Sequence, residues 1–304
     1  MAKLALIQDG IDFAFKQMAA GISAFAPVLT DELDAFRQVL LTHQIEEEDD
    51  DDNECLNDGG DEDEEDELTS TESSDVASRS GDIVLDALSN IGAAKIIAAP
   101  PEEIRAGVTC WKLPLDASQG RYNGRNGSNA CSLISLLIGY TLNLKKISRP
   151  PCNLNLPGVI VDVLCGCIEI GNRVYDLCRE SLPSRYLSIQ EAASVLDMWF
   201  KIDVGDNLPV RLNDEHEQST IGGQIQEAII SRSSFLAFLI LNEKTSLFYI
   251  HDGTITYVDT HSHDTSGPVF VTAEMKELDE FCRAVWELER NDETTYGNLV
   301  IVNY

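Results

Sequence analysis

Three observations predict an α+β fold for this 304-residue chain. Its first part carries apolar residues at helical spacing, and its last third carries three strand-like runs and a closing strand. Between them an apolar helix opens on Cys131. The expected architecture is a central helix carrying Cys131, packed on an antiparallel sheet and preceded by an N-terminal helical segment. A hydrophobic content of 43% is enough for a sizeable core.

Residues 1–44 read as the helical segment: FAFKQMAAGISAFAPVL repeats apolar residues every three to four positions, and Thr30-Asp31-Glu32 caps LDAFRQVLL. Residues 45–80 read as a disordered acidic linker. The stretch 46–75 holds 18 of the 52 acidic residues and no Lys or Arg. Such a tract cannot bury enough apolar surface to offset its ordering entropy, and its like charges repel. It serves either as a solubilising spacer or as a bait for a basic protein partner, with Ser70, Ser73 and Ser74 as candidate phosphorylation sites.

Residues 81–304 read as one globular domain. IVLDALSNIGAA (83–94) is a short helix, and Pro100-Pro101 marks a break. The loop DASQGRYNGRNGSNA leads into the apolar run CSLISLLIGYTLNL. Residues 158–170 and 172–178 fit strand or buried helix equally, because periodicity does not separate the two. Ser188, followed by Gln190 and Glu191, starts a helix reaching Trp199. FLAFLIL (235–241), SLFYIHD (246–252) and TITYVDTH (254–261) are strands, joined by Asn242-Glu243-Lys244-Thr245 and by the hairpin signal Asp252-Gly253. A helix over 273–290 and the strand GNLVIVNY close the chain, and there is no internal repeat.

The formal charge of −30 is concentrated in the linker; elsewhere 34 acidic face 22 basic residues. An acidic body without a cationic stripe is a poor match to phosphate backbones, so no nucleic acid partner is expected. No run is long and apolar enough for a membrane span, and the opening segment, with Asp9 and Asp12, does not read as a secretory signal. Eight cysteines are too sparse for a disulfide scaffold, which fits reduced thiols in a cytoplasmic or nuclear compartment. Cys165 and Cys167 lie in an apolar run with no second ligand pair at zinc spacing and read as buried structural thiols; no metal or cofactor is expected.

Cys131 is the candidate nucleophile. It stands where a Gly/Asn-rich loop meets an apolar helix, so its sulfur is expected near unpaired backbone N–H groups and the positive end of the helix dipole, which favour thiolate. Gly120, Gly124 and Gly127 supply backbone freedom there, and Asn123, Asn126 and Asn129 supply amide donors. Asp259 and His261 are the candidate acid and base. On a strand, residues i and i+2 share a face, so the carboxylate can fix the imidazole tautomer and raise its basicity, with Thr260 pointing away. His263, paired with Asp264 or sharing the site, ranks second as base; Asp252 belongs to a turn, leaving His251 solvated. A nucleophilic Cys on an early helix, with its acid and base on a later sheet, is the chain order of papain-like hydrolases.

The Gly/Asn-rich approach to NACSLISLLIGY, together with SLFYIHDG and TITYVDTHSHDTSG, resembles the papain-like deubiquitinase domain of herpesvirus large tegument proteins and related transposon or viral proteases. The resemblance covers roughly residues 105–302. It implies Cys131 as nucleophile, His261 as general base, Asp259 as its orienting acid and Gln119 as oxyanion donor. The chain departs from the family at Ala130, where a Gln often precedes the Cys, and residues 145–232 carry no matching motif.

The function so implied is hydrolysis of the ubiquitin C-terminal peptide or isopeptide bond through a Cys-His-Asp triad and a thioester, with ubiquitin or ubiquitin-like conjugates as partners. An acidic enzyme also complements the basic recognition face of ubiquitin. Two other readings stay open: a cysteine amidase or transglutaminase-like effector on the same fold, and an inactive papain-like interaction module.

Overall fold

The computed structural model describes residues 96–182, 184–197, 202–211, 220–290 and 296–303. The N-terminal helical segment, the acidic linker, the helix expected over 83–94 and Trp199 lie outside the described residues. Within them the chain is α+β, with helices on both faces of one antiparallel sheet. No helix among the described residues is long and apolar enough to cross a membrane.

The sheet has eight strands: β1 (Glu102–Arg105), β2 (Val108–Lys112), β3 (Asp203–Arg211), β4 (Phe235–Leu241), β5 (Lys244–His251), β6 (Thr254–Asp259), β7 (Val269–Glu274) and β8 (Tyr296–Asn303). Their order is β1-β2-β7-β6-β5-β4-β8-β3, and every pairing is antiparallel. The last strand therefore pairs between β4 and β3, far from its chain neighbours β6 and β7. Alternation sorts each central strand between two cores: along β4, Leu236 and Phe238 face one side, while Phe235, Ala237 and Leu239 face the other.

One side is covered by α1 (Cys131–Leu144), α2 (Gly158–Cys178) and α3 (Ile189–Leu196), the other by α4 (Ile221–Ser231) and α5 (Leu278–Glu289). Helix α1 is buried from Cys131 through Gly139, which is why its sequence is apolar nearly all round. The undecided stretches 158–170 and 172–178 form a single helix, α2, whose Ile160, Leu164, Cys167 and Ile168 are buried. Helix α3 begins with a capping box between Ser188 and Glu191 and ends at Leu196.

The expected hairpins form with shorter connections. Asn242 and Glu243 alone turn β4 into β5, with φ of 50° and 62°, and Asp252-Gly253 turns β5 into β6, with φ of 49° and 69°. Both central residues at positive φ is the turn whose twist matches a tight hairpin, so Lys244 and Thr245 join the strand instead of the loop. Strand β6 correspondingly ends at Asp259 and not at His261.

Four strands were not legible. β7 occupies 269–274, part of which reads as the start of a helix; that helix, α5, begins only at Leu278, after a 3₁₀ turn at Met275–Glu277. β1 and β2 follow the Pro100-Pro101 break, and β3 contains Gly205 and Pro209, which disguise a strand pattern. Pro209 is tolerated because β3 is the edge of the sheet and has an unpaired side.

Helices α1 and α2 approach closely at Gly171. A Cβ built there would lie 3.1 Å from both the Cα and the N of Ile134, and 2.5 Å from its Cγ1. Backbone cannot yield as a side-chain tip can. Gly171→Ala is expected to lower stability by about 1 to 3 kcal/mol through overpacking, read as a lower urea midpoint with an unchanged m-value.

Candidate functional site

Cys131 is the first residue of α1, and no side chain caps that helix end. Ser128 is spent on the residue before it: its hydroxyl accepts from the Ala130 N–H at 3.1 Å and donates to Asn172 Oδ1 at 2.6 Å. The helix is anchored to β5 through its polar positions. Ser132 Oγ donates to the Leu187 carbonyl at 2.6 Å and lies 2.9 Å from Thr245 Oγ1, and Ser135 Oγ donates to the Thr245 carbonyl at 3.2 Å. These bonds set Cys131 beside the β4–β5 turn, where its sulfur lies 3.8 Å from the Glu243 carbonyl.

The acid and base come from the end of β6, next to β5 in the sheet. Asp259 is 1% exposed. Its Oδ1 lies 2.5 Å from His261 Nδ1 and accepts the His261 backbone N–H at 3.0 Å. The pair thus forms by a local turn that starts where the strand stops, and not by two side chains sharing a strand face. With Nδ1 committed to Asp259, the ring's other edge is left for the Cys131 sulfur, and the two groups favour each other's charged form.

Electrostatics separate Cys131 from the other cysteines. Burial pushes the thiols of Cys110 and Cys178 up to about 11 and those of Cys165, Cys167 and Cys282 to about 12. Burial also opposes ionisation of Cys131, but the neighbouring His261, aided by Thr245, outweighs it, and its pKa falls below the ordinary value. His261 would lose its proton on burial, yet the Asp259 carboxylate, with the Cys131 thiolate, holds its pKa at about 10. Asp259 in turn is buried, and its two histidine partners keep it well below the carboxylate range. Mutual pairing therefore shifts each of the three groups toward its charged form, thiolate, imidazolium and carboxylate.

Gln119 sits across the cleft from His261. Its backbone N–H donates to the Thr260 carbonyl at 2.9 Å, its carbonyl accepts from Asn172 Nδ2 at 2.9 Å, and its Oε1 accepts from Thr260 Oγ1 at 2.7 Å. These contacts leave the Nε2 amide for the cleft. Thr260 does point away from the Asp-His face, but it is 1% exposed and orients Gln119. Arg125 secures the same loop, pairing with both Asp176 oxygens at 2.6 and 2.7 Å and with the Gly127 carbonyl at 2.8 Å. Asn123, Gly124 and Gly127 adopt positive φ there. The resulting cleft, about 460 Å³, is bordered by Gln119, Arg121, Gly127, Lys244 and His261.

The remaining histidines separate clearly. His251 stacks on Tyr249, with ring centroids 5.5 Å apart, and its Nδ1 lies 3.3 Å from Ser234 Oγ, so it is held at the strand end and not simply solvated. Asp264 is an exposed turn residue, and His263 turns from it to the other oxygen of Asp259: its Nε2 is 2.9 Å from Oδ2. Behind them Tyr257 OH donates to Glu289 Oε1 at 2.5 Å, and burial together with the Asp259 charge raises Glu289 to about 7. Asp259, His263 and Glu289 have ligand-type atoms within 4.8 Å of one another. The 2.9 Å between His263 Nε2 and Asp259 Oδ2 is the separation of a directly contacting pair; two ligands on a tetrahedral zinc would stand roughly 3.3 Å apart.

Sequence reasoning named Cys131, His261, Asp259 and Gln119, and the fold brings all four to one place. It missed Asn172, Thr260's bond to Gln119, and Glu289. Asn172 and Glu289 have no local motif, since each acts from a helix remote in sequence.

No family model matches the chain, and no curated protein matches it by sequence. Among solved structures it is similar to the ubiquitin-specific protease encoded by murine cytomegalovirus tegument protein M48, in complex with a ubiquitin-based suicide substrate. The identity is 14%, the match covers 62% of this chain and 84% of that one, and the TM-score is 0.45.

The Glu289 shift has a defined sign. Its folded pKa of about 7 exceeds the ordinary 4.5, so the stability tied to its protonated form is complete below 4.5 and is lost as pH rises through 7. Glu289→Gln, which cannot ionise and still accepts from Tyr257, is expected to melt a few degrees above wild type at pH 8. The difference should shrink to nothing by pH 4, as measured by thermal denaturation across that range.

Proposed function

We propose that the protein is a papain-like cysteine hydrolase that cleaves the peptide or isopeptide bond at the C-terminal tail of ubiquitin or a ubiquitin-like protein. The observation that carries this reading is the buried line Cys131, His261, Asp259, with the thiol driven down and the imidazole driven up. Ordinary structural thiols in the same fold are driven the other way.

The chemistry follows from the atoms in place. The Cys131 thiolate attacks the scissile carbonyl, and the developing oxyanion is met by the Gln119 amide and the Cys131 backbone N–H, each donor worth about 3 kcal/mol. His261 passes its proton to the departing amine, leaving a thioester on Cys131. Water, deprotonated by His261, then releases the acid product. Throughout, Asp259 holds Nδ1 and offsets the imidazolium charge.

The substrate class rests on the motif resemblance and on access. Cys131 is only 6% exposed, under the Glu243 carbonyl, which suits a slender glycine-ended tail over a bulky chain. The overall acidity of the protein complements a basic ubiquitin surface.

Labelling with ubiquitin bearing a C-terminal thiol-reactive electrophile tests both points. An adduct in wild type and Cys165→Ala, absent in Cys131→Ala, is the expected result. No adduct, while Cys131 still reacts with a small alkylating reagent, would turn the assignment to an amidase; a Cys131 inert to both would turn it to a binding module. In turnover, Cys131→Ala should abolish activity, and Asp259→Asn should leave a residue reduced by roughly 10² to 10⁴. The pH profile of kcat/KM should be bell-shaped, rising below the ordinary thiol pKa as Cys131 ionises and falling near pH 10 as His261 deprotonates.

A further inference from the structure

A carboxylate that orients a histidine has a second oxygen, and in a buried site that oxygen needs a partner of its own. In Asp259, Oδ1 takes both the ring and the backbone N–H of His261, which leaves Oδ2 to face His263 and, beyond it, Glu289. Rotation about the last torsion of an aspartate is soft and close to two-fold, so a carboxylate held by one oxygen can swing. The His263 ring is held in turn: its backbone closes a tight turn with Ser266, through N–H to carbonyl bonds of 2.9 and 2.8 Å in the two directions. Its Nε2 is buried, has no hydrogen-bond partner, and stands 2.9 Å from Asp259 Oδ2 as an ion-pair contact.

We propose that His263 is a positioning residue for this site: it holds Oδ2 of Asp259 so that Oδ1 stays on His261 Nδ1, and it separates that carboxylate from Glu289. The proposal rests on the reading of Cys131, His261 and Asp259 as a catalytic line. The groups facing the pair are Tyr257 from β6, Glu289 from α5, Lys244 from β5 and His261 itself. Without His263, the buried carboxylate of Asp259 and the half-buried one of Glu289 face each other within 4.8 Å with no donor between them, and like charges at that range force one to take a proton. A proton that settles on Asp259 removes the charge that keeps His261 an imidazolium, and the Cys131 thiolate goes with it. With His263 in place, the proton is held on the His263–Glu289 side and Asp259 stays ionised. His263 is thus not a competing base: it touches neither the sulfur nor the reacting atoms, and acts through Asp259.

The test compares His263→Gln with His263→Leu, side chains of similar size of which only Gln carries a donor that can reach Oδ2. Alkylation of Cys131 by iodoacetamide is followed at its own peptide by mass spectrometry from pH 5 to 10, alongside turnover of a ubiquitin C-terminal fluorogenic amide. His263→Leu is expected to move the acid limb of alkylation up by about one pH unit and to lower kcat about tenfold with KM unchanged. His263→Gln should restore most of both, and adding Glu289→Gln to His263→Leu should bring the acid limb back, because the competing carboxylate is gone. A wild-type limb below the ordinary thiol range that His263→Leu leaves in place, or equal losses in Leu and Gln, would overturn the role of His263 alone. A wild-type limb near 8.5 would remove the ion pair, and with it both readings.

Discussion

The docking of α1 on β5 is the constraint on which the rest of the structure depends. Cys131 opens a helix that is buried on nearly every side, and a buried helix can be placed only by complementary packing and by satisfying whatever polar atoms it carries. Ser132 and Ser135 meet Thr245 on β5, and no room remains at Gly139, where a Cβ would sit 2.5 Å from Leu236. Because β6 is hydrogen-bonded to β5, fixing the helix on β5 also fixes the sulfur relative to the end of β6. Asp259, Thr260 and His261 stand at that end, and from there both the base and Gln119 are reached.

The site is an arrangement of buried charges, and each charge is tolerated only because another faces it. Burial alone would neutralise Cys131, His261 and Asp259, as it does the thiols of Cys165 and Cys167 deeper in the same core. Mutual pairing reverses the outcome for all three. Such a set is costly to desolvate and contributes little net stability, so removing one member is more damaging than its own energy suggests. The surrounding bonds are accordingly dense: Gln119 uses three of its polar groups to hold its position, and Asn172 ties both Gln119 and Ser128 to α2.

Chain order and local chemistry made much of the site legible before any coordinates. A cysteine between a glycine-rich loop and an apolar helix, and an Asp and His two apart near a strand end, are patterns whose physical meaning is local. Asp259 and His261 nonetheless do not share a strand face, since β6 stops at Asp259 and a backbone turn brings the imidazole round. The hairpin turn at Asp252-Gly253 forms as expected, whereas the four-residue connection expected over Asn242-Glu243-Lys244-Thr245 shrinks to Asn242-Glu243, because Lys244 and Thr245 pair with Leu241 and Ile240 of β4 and extend β5.

By itself the sequence determined an α+β chain, the apolar helix behind Cys131, the hairpins of the last third, and the residue types for thiol chemistry with their order. These follow from periodicity, turn propensity and side-chain reactivity, which act over a few residues. Only the tertiary structure decided that α2 is one helix, that β7 lies between β2 and β6, and that β8 inserts beside β3 and β4. It alone brought Asn172 and Glu289 to the triad, because their role is created by burial and by partners far apart along the chain, which no local pattern encodes, and it turned His263, already near in sequence, onto Asp259 instead of Asp264.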